Sequence, residues 1–225
     1  LDIDNGGQGE QQGHGPSMTA YLSPDAIAAQ ERWNTRYRQS RETPEPAQVL
    51  REYSHLLPTA GEALDVACGL GANALYLAAH GLHTWAWDVS DVAIARLRHL
   101  ATRRLLTVHA EVRDVVATPP QPASFDVIVI SRFLERSLAP KLVEALRPGG
   151  LLFYQTFTIL AVDDYGPHNA AYRLAPQELL HMFAQLRVVV YREEGELGDI
   201  TRGLRNEVMF VGQKLMSSTE GRSTR

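Results

Sequence analysis

"LDVACGLGANALYLA", Leu64–Ala78, is an apolar run that breaks at Gly69 and Gly71 and resumes with a different period. Up to Cys68 it reads as a buried strand, and beyond Gly71 as a helix closed by Gly81. Working outward, "HTWAWDV" reads as a second strand, and Ser90 caps a helix over "DVAIARLRHLATRR". "LLTVHAEVRDV" gives a third strand and, after a loop spacer with Pro119, Pro120 and Pro122, "SFDVIVIS" a fourth, rich in β-branched residues. "LAPKLVEALRPGG" is a helix with its stop, and "LLFYQTFT" a fifth strand. Strand and helix thus alternate from Leu64 to Thr158, which predicts βαβ units in a doubly wound, Rossmann-like α/β sheet with helices on both faces. The helix "APQELLHMFAQL" follows, then "RVVVYREE" and "NEVMFVGQKL", an antiparallel pair that finishes the otherwise parallel sheet.

Upstream, a helix from Pro24 to about Arg38, capped by Ser23, and a second over "PAQVLREYSHLL" form an N-terminal helical cap, residues 18–58. The main domain is 59–215. Residues 1–17, rich in Gly and Gln, read as a flexible leader or tag with Met18 as a plausible start, and 216–225 as a disordered tail. No internal repeat is present.

The 225 residues are 44% hydrophobic and 21% charged, the composition of a globular chain with a real core. A formal net charge of −4 gives no basic footprint for nucleic acid or an anionic membrane. Cys68 is the single cysteine, so no intramolecular disulfide forms and a reducing cytoplasm is expected. No stretch has the apolar length to span a bilayer, and the N-terminus lacks the pattern of a signal peptide.

Glycines at a strand-to-helix turn permit positive φ and let a ligand approach the bare backbone, at the carboxyl ends of strands where such sheets bind ligands. Asp88, nineteen positions after Gly69, ends the second strand where a carboxylate accepts from both hydroxyls of a ribose. Gly69-x-Gly71-x-x-Ala74 also fits the dinucleotide fingerprint. Against a dinucleotide stand Asp65, whose charge suits a cationic ligand, the lack of any Arg or Lys from Leu64 to Asp88, and the antiparallel finish.

With "WAWDVSDVAI", "EVRDV", "SFDVIVISRFLER" and "LRPGGLLFYQTF" following in order, the chain from about Trp33 to Lys214 resembles the class I S-adenosylmethionine-dependent methyltransferases. "ERWNTRYR", "GLGANALYLA" and "YRLAPQELLHMF" resemble the tellurite-resistance group of that class, although Ala72 stands where that group often has Arg. The resemblance implies S-adenosyl-L-methionine as cofactor. It places Ala67, Gly69 and Gly71 around the methionine part, Asp65 at its amino group, Asp88 on the ribose and Val89 on the adenine. Asp114 and Val115 would hold the adenine edge, while Ser131, Arg132 and Phe133 flank the sulfur and Arg36 and Tyr37 cover the site.

The cofactor's methyl group arrives activated, so neither a covalent nucleophile nor a metal is required, and positioning of the acceptor is what remains. Candidate acceptor-side residues are Phe133, Arg136, Tyr154, Thr156, Phe157, His168, Asn169, Tyr172 and Arg173. For an oxyanion or carboxylate acceptor Arg136 or Arg173 is the natural partner, and His168 the candidate to take a proton. Cys68 reads as a small buried residue of a tight turn, Trp33 as core, and Trp85 and Trp87 as packing against helices. The arginines of "RLRHLATRR" read as a solvated face.

The leading reading is a methyltransferase for a small molecule or a metalloid oxyanion, acting as a monomer or homodimer without nucleic-acid or membrane partners. A macromolecular acceptor is the first rival. Ser131-Arg132-Phe133-Leu134 departs from the Asn/Asp-Pro-Pro-aromatic signature of amino-group methyltransferases, and the acidic balance disfavours polynucleotide. A cofactor-binding sensor without turnover and a nicotinamide dehydrogenase are the others.

Overall fold

Strand β1 (Glu62–Val66) lies at the centre of a seven-stranded sheet in the computed structural model, which describes residues 22–40 and 45–216. The leader, Met18, Thr43 and all but Met216 of the proposed tail lie outside the described residues. The other strands are β2 (His83–Asp88), β3 (Val108–Val112), β4 (Phe125–Ser131), β5 (Leu146–Phe157), β6 (Arg187–Arg192) and β7 (Glu207–Gln213). Their order is β3-β2-β1-β4-β5-β7-β6; the first five run parallel and β7 is antiparallel to both neighbours. The final strand therefore inserts inside the sheet and leaves β6 at the edge.

Side chains alternate along each strand, so the sheet buries two layers. Leu64, Ile130, Leu152, Tyr154 and Phe210 on one face pack with Leu142 of α5 (Ala139–Ala145) and Leu179 of α6 (Glu178–Met182). The other face is covered by α2 (Gln48–Glu52), α3 (Ala72–Ala79) and α4 (Asp91–Arg103). Val49 and Leu50 of α2 sit against Val129 and Phe153, while Ile94 and Leu97 of α4 sit against Ala86 and Ala110. The described parts of the expected helical cap thus separate. Helix α1 (Pro24–Gln39) lies against α4, whereas α2 belongs to the sheet's covering layer.

Local chemistry accounts for the ends. The Ser23 hydroxyl accepts from Ala26 N–H at 3.2 Å with Pro24 in the first turn of α1, and the Ser90 hydroxyl accepts from Ala93 N–H at 3.1 Å on α4. Several boundaries differ from the sequence reading. The second helix stops at Glu52 and continues only as a 3-10 turn, Ser54–Leu56. Gln177 enters a left-handed conformation, φ 61°, and leaves α6 only five residues long. In keeping with the expected proline spacer, no helix joins β3 to β4, and the segment with Pro119, Pro120 and Pro122 crosses as a loop. Trp87 meets the Arg113 guanidinium at 3.8 Å and the Phe125 ring within the cluster that holds Leu142 of α5, and Trp85, packed against that cluster, stacks on His109. Among the described residues no helix is long and apolar enough to cross a membrane.

Candidate active site

Parallel register brings the carboxyl ends of β1, β2 and β4 together, with Val66 beside both Trp87 and Ile130. After β1 the chain turns through three left-handed residues, Ala67, Gly69 and Gly71, with φ 52°, 52° and 80°. Cys68 N–H donates to Trp87 O at 3.0 Å and Gly71 N–H to Cys68 O at 2.9 Å, which ties the turn to β2. The two glycines answer different demands. A Cβ on Gly69 would lie 2.8 Å from the Tyr37 hydroxyl, and one on Gly71 would lie 2.2 Å from Leu97 Cδ1. Gly71 thus lets α3 and α4 approach, and Gly69 lets α1 cover the turn. Cys68 is buried beneath it, and burial pushes its thiol well up, away from thiolate character.

Two buried carboxylates flank this turn. Asp88 accepts from Gly69 N–H and Ser90 N–H, both at 2.8 Å, and burial pushes its carboxyl up despite those bonds. Asp65, fully buried, accepts from Ala74 N–H at 3.1 Å and Asn73 Nδ2 at 3.3 Å. Burial pushes its carboxyl up to about 7, with those bonds opposing and the charge of Asp88 adding. Asn73 also donates to the Ser131 hydroxyl at 3.0 Å and accepts from Ala47 N–H at 2.8 Å, joining β1, β4, α3 and the approach to α2. Neither carboxylate has a basic partner among the described residues.

Helix α1 lies across these strand ends. Its cap Ser23 donates to Asp114 at 2.7 Å, Gln30 donates to Val89 O at 2.8 Å, and Asn34 accepts from the Ser90 hydroxyl at 2.5 Å and donates to Asp91 at 2.6 Å. Burial works against the Asp114 charge, but Ser23 and the N–H groups of Ala117 and Val116 hold its carboxyl below the ordinary carboxylate range. Val115 is buried in the core beside it. Tyr37 reaches Gly69, and burial pushes its phenol far up. Trp33, expected in the core, is 38% exposed and stacks on Tyr37, with the exposed Arg36 guanidinium 5.5 Å from its ring.

The acceptor-side candidates divide. Tyr154 is buried and its hydroxyl donates to Phe133 O at 2.9 Å; Thr156 is also buried, and its hydroxyl has no partner among the described residues. Arg136 binds Glu178 at 2.5 Å and the carbonyls of Ala171 and Arg173. Arg173 spends Nε, Nη1 and Nη2 on the carbonyls of Pro167, Thr158 and Tyr165. Both arginines therefore hold the loop after β5. Asn169 accepts from Ala171 N–H at 2.9 Å, capping a 3-10 turn (Ala170–Tyr172), while His168 and Tyr172 are exposed and Phe157 is buried.

Sequence reasoning missed Gln155 and Glu207, the buried members of a hydrogen-bonded chain through β5 that ends at Arg132. Val49 N–H donates to Gln155 Oε1 at 2.8 Å, the Gln155 amide donates to Glu207, and Arg132 Nε donates to Glu207 at 2.9 Å. It also passed over Gln30, Asn34 and Asn73 as site-builders. A carboxylate within the apolar run "NEVMFVG" was the one signal available for Glu207.

A family model described as a methyltransferase domain matches residues 63–150. Over 143 residues the chain is 29% identical to a ubiquinone biosynthesis O-methyltransferase of Idiomarina loihiensis, covering 54% of this chain and 58% of that protein. It is 35% identical over 109 residues to a demethylmenaquinone methyltransferase of Clavibacter sepedonicus, covering 45% and 43%. A probable S-adenosyl-L-methionine-dependent methyltransferase, TehB, of Haemophilus influenzae is 27% identical over 145 residues, 60% of this chain and 50% of that one. The TehB crystal structure superposes with a TM-score of 0.60 at 20% identity, over 82% of this chain and 66% of that chain. The chain spans about half the length of the relatives that it matches in sequence. Residues 63–150 are thus similar to a methyltransferase domain, on a fold shared with the TehB structure.

Proposed function

We propose that the protein transfers a methyl group from S-adenosyl-L-methionine to a small anionic acceptor, a metalloid oxyanion or a small organic acid. The observation that carries the cofactor half is the pair of buried carboxylates, Asp65 and Asp88, with no basic side chain bonded to either. Buried charge without a counter-ion is costly and is relieved by a cationic ligand. A pyrophosphate would add repulsion there. The residues present therefore fit a cofactor bearing an ammonium and a sulfonium.

In this reading Asp65 takes the amino group, Asp88 the ribose hydroxyls, Val89 and Val115 the adenine, and Asp114 its amino edge. The left-handed turn at Ala67, Gly69 and Gly71 leaves the backbone open to the methionine part, Arg36 and Tyr37 cover it from α1, and Ser131 and Phe133 stand at the end of β4. When bound, the cofactor supplies an electrophilic methyl carbon: an acceptor lone pair forms the new bond as the carbon–sulfur bond breaks and its electrons stay on sulfur. The chain's own task is alignment and exclusion of water. Helix α1 and the loop held by Arg136 and Arg173 are the elements that support it.

The relatives are named as a ubiquinone biosynthesis O-methyltransferase, a demethylmenaquinone methyltransferase and TehB, so they point to no single acceptor. A labelled-methyl assay tests the proposal against tellurite, selenite, thiols, catechol carboxylates and bulk RNA and protein. Label in a small anion supports it. Label confined to macromolecules, or cofactor binding without transfer to any acceptor, overturns the acceptor half in favour of a macromolecular methyltransferase or a sensor.

A further inference from the structure

Three arginines stand at the carboxyl ends of β4 and β5, and only one presents its fork to solvent. Arg136 and Arg173 are taken up by Glu178 and by loop carbonyls. Arg132 is held only through Nε, which donates to Glu207 at 2.9 Å; its Nη1 and Nη2 make no hydrogen bond among the described residues. Its side chain is 57% exposed against 6% for Glu207. The second carboxylate oxygen of Glu207 takes the Gln155 amide, and Gln155 is fixed in turn by Val49 N–H, so the anchor cannot rotate freely. Arg132 also begins the turn after β4 in a left-handed conformation, φ 53°, uncommon for a non-glycine residue. The half-exposed Tyr165 ring lies 5.5 Å from the guanidinium carbon and is itself braced edge-on against Phe157 at 5.6 Å.

A guanidinium fixed at Nε and bare at both Nη groups matches two oxygens carried on one atom, and a flanking aromatic ring favours a flat ligand. We propose that Arg132 and Tyr165 form the acceptor's anion subsite, binding a carboxylate or a metalloid oxyanion at the Nη1/Nη2 edge, with Glu207 as a positioning residue. This rests on the methyltransferase reading and narrows its acceptor. It also moves Arg132 from the cofactor's side of the site to the acceptor's.

Calorimetric titration tests the subsite with the full chain saturated by S-adenosylhomocysteine, so that no turnover occurs. Sodium selenite and 3,4-dihydroxybenzoate are the probes, and 3,4-dihydroxybenzamide is the neutral control. At least one anion binds the wild type and the amide binds more weakly; which anion binds separates the two sources of the chemistry. Arg132→Gln lowers anion affinity about tenfold or more, Arg132→Lys restores it only in part because an ammonium has no fork, and Glu207→Gln falls between. In all three, affinity for S-adenosylhomocysteine stays within about twofold of wild type. Should the turn variants fail to fold by circular dichroism, Tyr165→Ala, which leaves the turn untouched, still weakens the anion about threefold. The proposal is overturned if neither anion binds the wild type while S-adenosylhomocysteine does, if Arg132→Gln binds the anion like wild type, or if Arg132→Gln loses S-adenosylhomocysteine equally. If the wild type does not bind S-adenosylhomocysteine, the methyltransferase reading fails and the subsite falls with it.

Discussion

Asp65 is buried with two weak donors and no cation, and its carboxyl is pushed up to about 7. An unfolded aspartate titrates near the ordinary value of 3.8, so between about 4 and 7 the folded chain holds more protons than the unfolded one. The protein is therefore most stabilised by this group at low pH and loses that contribution as pH rises towards about 7. The urea midpoint without cofactor falls between pH 5 and 8, and Asp65→Asn flattens that slope; parallel slopes in the two proteins would contradict the assignment. Asp88→Ala weakens S-adenosylhomocysteine binding by about 1.5–3 kcal/mol, the scale of a hydrogen bond to a charged group, as read by calorimetry on protein verified as folded. The glycines and Asp65 stood out in the sequence at a local strand-to-helix turn, and Asp88 by its spacing from Gly69. Asn73 and Glu207 did not, since their partners lie 58 and 75 positions away along the chain.

Helix α1 uses one side for contact: Gln30, Asn34 and Tyr37 recur at helical spacing and meet Val89, Ser90 and the Gly69 turn. Asn34 is the most committed, bonded to Ser90, Asp91 and Val92. Asn34→Ala should raise amide exchange along α1 by about tenfold, the effect of removing about 1–1.5 kcal/mol of hydrogen bonding, while the β4 and β5 core stays protected. Unchanged exchange would mean that α1 is held by packing instead. Helix existence was readable from caps and period, and α1, α3 and α4 end within two residues of their expected bounds, but the short lengths of α2 and α6 were not readable. Nothing local announces the left-handed Gln177 that precedes α6 or the early stop of α2 at Tyr53. The prolines between β3 and β4 were readable as a loop spacer, and no helix intervenes there.

For the whole molecule, alternation was enough to give a parallel sheet with a crevice at its carboxyl ends, since handed crossovers leave few other arrangements. It did not reveal that β7 enters between β5 and β6, because both late strands are apolar and pairing is decided by burial. The seven residues of β7 are nearly all buried, whereas β6 begins with two exposed residues. Phe210 of β7 stacks on Phe183 at 5.7 Å, so Phe210→Ala should cost about 3–5 kcal/mol in urea unfolding, the range for a large buried aromatic. An edge position would show far less. The acceptor was the least legible feature: which of Arg132, Arg136 and Arg173 keeps free N–H groups among the described residues is decided only by tertiary contacts. The central claim is the cationic-cofactor crevice between Asp65 and Asp88. It is tested most directly by parallel calorimetric titration with S-adenosylmethionine, S-adenosylhomocysteine and NAD: micromolar binding of the first two and none of NAD is the predicted result, and binding of NAD alone would contradict it.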